Sequence, residues 1–193
     1  MQAIRAFVAV NVPPFTLETI SELQGRFKTL GLHAAWTRPG NMHLTLKFLG
    51  NIDPQSLPEI TNALTRARSR APFRVSLEGV GVFPAWKKPR VIWVGLHDPD
   101  RNLVALQSQL ETALEPLGYP RETRPFSPHL TLGRIKSAKG CDRLQSEVAS
   151  LDPIDPSPFE VNSIRLYRSD LTPKGSVYTV LEEISLQGQT PDT

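Results

Sequence analysis

The tetrapeptide His-Leu-Thr-Leu occurs twice in this chain, at residues 43–46 and at residues 129–132, 86 positions apart. The interval recurs: Phe73 and Val75, behind Pro72, return 86 positions later as Phe159 and Val161, behind Pro158. Leu30-Gly31 returns as Leu117-Gly118 after 87 positions, and Arg5 with its apolar run returns as Arg90 after 85. Such a period is far longer than the units that build solenoids. It points to one duplicated half, approximately residues 1–85 and 86–186. Related halves tend to pack about a pseudo-twofold axis, which sets equivalent residues facing each other, and here those equivalents include two histidines.

Local patterns repeat with the same order. Residues 3–12 alternate as a strand, with Ile4, Ala6, Val8 and Val10 on one face. Leu17, Ile20, Leu23, Phe27 and Leu30 have the spacing of an amphipathic helix over 16–30, stopped by Gly31. A short strand at 33–37, a strand at 42–49, a helix at 55–69 and a strand at 73–83 complete the first half. The second half predicts a strand at 90–97, a helix at 101–116, a strand at 127–135, a helix near 141–150, and strands at 159–168 and 176–186. Proline-rich loops fall at 84–89 and 152–158, and residues 187–193 read as a flexible tail. This order predicts an α+β fold. We expect a single bilobal domain spanning residues 1–193, with two pseudo-symmetric lobes around a central cleft. Each lobe is expected to be a mainly antiparallel sheet with helices on its outer face.

No apolar run approaches the length needed to cross a bilayer, and Arg5 and Asn11 interrupt any signal-like segment. The lone Cys141 cannot form an internal disulfide and fits a reducing cytoplasm. Net charge is +3, and its distribution says more than its total. Residues 33–51 contain no Asp or Glu but include Arg38 and Lys47. Residues 123–140 contain none either, but include Arg124, Arg134, Lys136 and Lys139. Both motifs therefore lie in cationic surroundings that suit an anionic ligand.

Strand alternation sends His43, Thr45 and Lys47 to one face and Leu44, Leu46 and Phe48 to the other. The same parity groups Ser127, His129 and Thr131. With the leucines packed on helices, two histidines and two threonines converge from opposite halves. In-line displacement at phosphorus requires a base and an acid on opposite sides, and a pseudo-twofold cleft supplies them. Histidine can serve either role near neutral pH, and threonine hydroxyls can hold non-bridging oxygens. Lys47 is a candidate phosphate contact or a solvated edge residue. Arg134 falls on the Leu130 face unless Gly133 bends the strand. Phe7 looks into the cleft, to touch a nucleobase or close the floor. Trp36, Trp86 and Trp93 can stack on bases but are first read as packing residues. A metal site would need a third ligand. His33 and His97 are not a repeat pair, and neither motif segment holds a carboxylate, so no metal or other cofactor is expected.

At these residues the chain resembles the two-histidine phosphoesterase superfamily. More narrowly, it resembles the RNA 2′,3′-cyclic phosphodiesterases, formerly called 2′-5′ RNA ligases. Residues Ile4 to Val10, Asn41 to Gly50, Pro125 to Arg134, Leu166 to Ser169 and Gly175 to Glu183 carry the likeness. The resemblance implies metal-independent opening of a terminal ribose 2′,3′-cyclic phosphate to a 2′-phosphate, with reverse 2′-5′ ligation in some members. It implies His43 as proton donor, His129 as proton acceptor, Thr45 and Thr131 as phosphate anchors, and Arg134 as an assisting cation. RNA ends or cyclic nucleotides are the expected substrates of a cytoplasmic monomer. A small cyclic phosphate, such as one on an ADP-ribose derivative, is the alternative substrate. A non-catalytic RNA-binding module is the alternative function.

Overall fold

Helices and strands follow one another along the chain in the expected order. In the computed structural model, residues 2–67, 71–154, 158–173 and 175–187 are described. The first half comprises β1 (Ile4–Asn11), α1 (Pro14–Thr29), β2 (Ala34–Trp36), β3 (His43–Ile52), α2 (Leu57–Ala67) and β4 (Phe73–Phe83). The second comprises β5 (Val91–His97), α3 (Asn102–Leu114), β6 (His129–Ile135), α4 (Cys141–Ala149), β7 (Phe159–Val161), β8 (Ser163–Thr172) and β9 (Gly175–Ser185). The strand expected over 127–135 begins only at His129, and the one expected over 159–168 breaks at Asn162 and runs on to Thr172. Of the expected tail, residues 188–193 lie outside the described residues.

Helix α1 shows why these segments form where they do. Pro14 occupies its first turn, where a missing N–H costs nothing. Ile20, Leu23 and Phe27 fall on one buried stripe. Gly31, at φ +67°, takes the left-handed position that ends the helix.

All strand pairings are antiparallel, in the order β7-β4-β5-β6-β3-β1-β8-β9, with β2 beside β6. Because β7 runs through Asn162 directly into β8, the sheet curls back on itself. The pseudo-twofold axis can be located at two points. Leu44 pairs with Leu130, its own repeat equivalent, where β3 meets β6. Arg74 pairs with Glu160, also 86 positions away, where β4 meets β7. The spatial lobes are β3-β1-β8-β9 and β7-β4-β5-β6, so the first half donates its last strand, β4, and the second its last two, β8 and β9, to the other's lobe.

One face of the sheet carries the main core. Leu44, Leu46, Leu130 and Leu132 pack there with Ile20 and Phe27 of α1, Ile60 and Leu64 of α2, Leu106 and Leu110 of α3, and Leu144 of α4. Burying each such side chain contributes about 1.5–3 kcal/mol. A separate small cluster of Phe7, Ala9, Tyr167 and Tyr178 forms apart from that core. Cys141 is buried and free. Among the described residues, no helix is long and apolar enough to cross a membrane.

Candidate active site

The two histidines open equivalent strands, His43 at the start of β3 and His129 at the start of β6. Leu44 and Leu130 point into the core, so both imidazoles project from the opposite face of the sheet, beside the axis. The recorded pairing between β3 and β6 is the single Leu44–Leu130 bridge, which sets both motifs side by side in opposite directions. In each motif Nδ1 lies close to the backbone carbonyl two residues upstream: 2.8 Å to Asn41 for His43 and 2.7 Å to Ser127 for His129. A carbonyl can only accept, so Nδ1 carries the hydrogen in both rings and each neutral Nε2 keeps its lone pair free. Asn41 is itself held, its Nδ2 donating to the Ser176 carbonyl at 2.8 Å.

Aromatic walls surround both imidazoles. Phe7 lies against His43 with ring centroids 4.7 Å apart, and Tyr178 meets it edge-on at 5.2 Å. Phe83 meets His129 edge-on at 5.0 Å, with Trp93 at 6.3 Å. Burial disfavours the charged ring, lowering the pKa of His43 to about 4 against the partial support of the Asn41 carbonyl. Burial also lowers that of His129, and the positive charge of Arg134 lowers it further, against the support of the Ser127 carbonyl. An NMR titration should place the His43 midpoint near 4 in the free protein, moving upward with bound phosphate. The unfolded imidazole, at its ordinary 6.5, binds more protons than the native one between those values. Stability should therefore fall as pH drops from about 6.5 to about 4, by on the order of 3 kcal/mol from this residue. A His43 midpoint in the ordinary imidazole range would contradict the desolvated site.

Thr45 and Thr131 are half-buried on the same face as the histidines, and their hydroxyls have no hydrogen-bond partner among the described residues. Beyond them both strands depart from simple alternation in the same way. On β3, Val8 pairs with Lys47 and Ala9 with Thr45, so Leu46 is an extra residue. On β6, Ile92 pairs with Gly133 and Trp93 with Thr131, so Leu132 is the extra residue. These bulges are 86 positions apart and reverse the parity of the residues that follow, on β3 as far as a second bulge at Leu49.

That reversal corrects the expectation for Lys47. It is 2% exposed and turned to the helix side, where Nζ pairs with Glu111 of α3 and donates to the Pro120 carbonyl at 2.8 Å. It is not a phosphate ligand in the cleft. The same reversal brings Arg134 onto the His129 face, as a bend at Gly133 would require, and Arg134 is exposed. Gly133 itself lies under Trp36, where a Cβ would come within 3.0 Å of the indole. Ser127 precedes the strand and serves His129 through its carbonyl rather than by parity with Thr131. Phe7 is 3% exposed and covered by His43, Tyr167 and Tyr178, so it forms the floor rather than offering a face to a base. Strict alternation places Phe48 on the leucine face; the bulge turns it outward instead, 58% exposed, at the repeat position of Arg134. The 86-residue interval, carried five positions past each histidine, pairs Phe48 with Arg134 and is the signal that would have found it.

Polar groups from the helices support both bulges. Gln24 of α1, buried, donates from Nε2 to the carbonyls of Leu132, at 2.9 Å, and Thr37, at 2.8 Å. Glu111 of α3, one repeat later, takes Lys47 and also accepts from Gln107 Nε2 at 2.7 Å and the Glu122 N–H at 3.3 Å. Each supporting group comes from the opposite half of the chain. Among the described residues, no group of three His, Cys, Asp or Glu side chains is arranged to hold a metal ion.

A family model for the 2′-5′ RNA ligase superfamily matches residues 11–173, spanning both motifs and the cleft strands. The chain belongs to that superfamily. Among its relatives in the superfamily is a Methanocaldococcus jannaschii protein named RNA 2′,3′-cyclic phosphodiesterase. It is 35% identical over 180 residues, covering 93% of this chain and 99% of the relative. An Aquifex aeolicus protein of the same name is 36% identical over 195 residues, covering 97% and 100%. Among solved structures, the Thermus thermophilus protein TT0787 matches with a TM-score of 0.81 at 32% identity, over 97% of this chain and 100% of its own. The apo form of Escherichia coli LigT gives 0.80 at 25% identity, over 98% and 100%.

Proposed function

We propose that this protein opens the terminal 2′,3′-cyclic phosphate of RNA to a 2′-phosphate, using His43 as acid and His129 as base. One observation carries the reading. Two repeat-related imidazoles, each held through Nδ1 by a carbonyl, leave their Nε2 atoms free on the same face of adjacent strands. The relatives named RNA 2′,3′-cyclic phosphodiesterase support the same substrate.

In this mechanism His129 Nε2 takes a proton from water as the water oxygen bonds to phosphorus. The bond from phosphorus to O3′ breaks, and His43 Nε2–H protonates the departing oxygen. Thr45 and Thr131 donate to the non-bridging oxygens, and Arg134 balances the charge that grows there. The charge of Arg134 lowers the His129 pKa, which favours that ring as the neutral base. His43, whose depression comes from burial alone, regains proton affinity once a phosphate oxygen accepts from its Nε2–H. Phe48 offers an exposed aromatic face to the terminal base. All the catalytic groups are side chains of one chain, so neither a metal nor a second copy enters the scheme, and a monomer suffices. A 5′-hydroxyl replacing water would form a 2′-5′ linkage by the same proton transfers. The lone buried thiol suits a reducing, cytoplasmic setting.

Product analysis by phosphorus NMR, on an oligoribonucleotide ending in a cyclic phosphate, tests the reading. A 2′-phosphate at a rate unchanged by EDTA is expected. A 3′-phosphate would mean that O2′ leaves instead, with the substrate seated the other way round, and no ring opening would reject the enzymatic reading.

A further inference from the structure

The lobes match in shape but not in charge. In the lobe built from β1, β3, β8 and β9, Arg165 pairs with Glu183 at 3.2 Å and Arg168 with Asp170 at 2.9 Å. In the other lobe, residues 79–97 contain no Asp or Glu, and neither do residues 123–141. These two acid-free segments are neighbours. Val91 pairs with Arg134 in the last row of the β5–β6 ladder, and the Ile135 N–H donates to the Arg90 carbonyl at 2.9 Å. The turn that closes β4 onto β5, with the Lys88 N–H donating to the Ala85 carbonyl at 3.0 Å, continues directly beyond that row. Lys87, Lys88, Arg90, Arg134 and Lys136 therefore gather at one end of the lobe, all exposed. Among the described residues, none of the five is in an ion pair.

The patch begins at the cleft, because Arg134 shares the His129 face, and leads away along β6. At about 3.3 Å per residue, Lys136 lies roughly 20 Å along the strand from His129, beyond the phosphate being attacked. An unpaired cationic ridge leaving an anion-binding cleft matches a polyanion that extends out of it.

We propose that this end of the lobe, through Lys87, Lys88 and Lys136, holds the backbone phosphates of single-stranded RNA upstream of the terminal cyclic phosphate. The inference rests on the cyclic phosphodiesterase reading of the cleft. It makes the enzyme selective for oligonucleotide ends over mononucleotides, through electrostatics rather than base identity.

The test compares kcat/KM for a nucleoside 2′,3′-cyclic phosphate with that for a short oligoribonucleotide ending in the same nucleoside, across a salt series. The wild-type enzyme should favour the oligonucleotide by on the order of tenfold at low salt, and lose that preference as salt rises. The triple variant Lys87→Gln/Lys88→Gln/Lys136→Gln should keep its mononucleotide rate. It should lose most of the preference, with the log–log salt slope shallower by about 2. Preference and slope unchanged in the variant would overturn the proposal, leaving the ridge to some acidic protein partner. So would a wild-type enzyme that turns over both substrates equally. Failure to open either substrate would instead sink the cyclic phosphodiesterase reading, and this inference with it.

Discussion

Alanine at His43 or at His129 should each lower kcat for ring opening by about 10²–10⁴, the usual worth of one positioned acid or base. KM should change little, because the proposed mechanism leaves phosphate anchoring to Thr45, Thr131 and Arg134. Neither substitution should unfold the protein, since each removes an imidazole whose charged form burial already disfavours. The two losses should combine to less than their product, since one proton path serves a single step. The His129→Ala variant should also lose the acidic limb of the pH–rate profile that reports the base. Steady-state kinetics on a cyclic-phosphate oligonucleotide, with thermal midpoints as a folding control, check all of this. Full turnover by either single variant would exclude paired acid–base catalysis.

The parts of this site that were legible in the sequence are those that repeat. Leucines recur because cores need them, but His and Thr on the face opposite the leucines have no core-packing reason to recur at the same interval, so the pair stood out. Helix and strand positions followed from periodicity for the same reason. Two things escaped. A β-bulge adds one residue without changing the hydrophobic pattern before it, so alternation past Leu46 assigned Lys47 and Phe48 to the wrong faces. At Leu132 a glycine follows the extra residue and hinted at the bend; at Leu46 no such mark exists. The second omission was the aromatic wall around His43. Tyr167 and Tyr178 reach it because β8 and β9 cross into the lobe of β1 and β3, and strand exchange between halves leaves no local trace.

Removing either partner of the buried Lys47–Glu111 pair should cost about 3–5 kcal/mol, since the survivor is a lone charge in the core. Glu111→Ala is the more damaging choice, because Gln107 Nε2, the Glu122 N–H and Lys47 Nζ would all lose an acceptor. The double variant Lys47→Met/Glu111→Leu removes both charges and should recover much of that loss, though the Pro120 carbonyl, the Glu122 N–H and Gln107 Nε2 remain unpaired. Urea denaturation at constant m-value should therefore rank the wild type first, the double variant next and the single variants last. The pair also joins β3 of one half to α3 of the other directly beneath the bulge that aims Phe48. A single variant that still folds should accordingly show a raised KM for nucleotide substrates, relieved in the double variant. If the single variants cost less than about 1 kcal/mol, water reaches the pair in solution, and the backbone bulge alone holds Phe48 in the cleft.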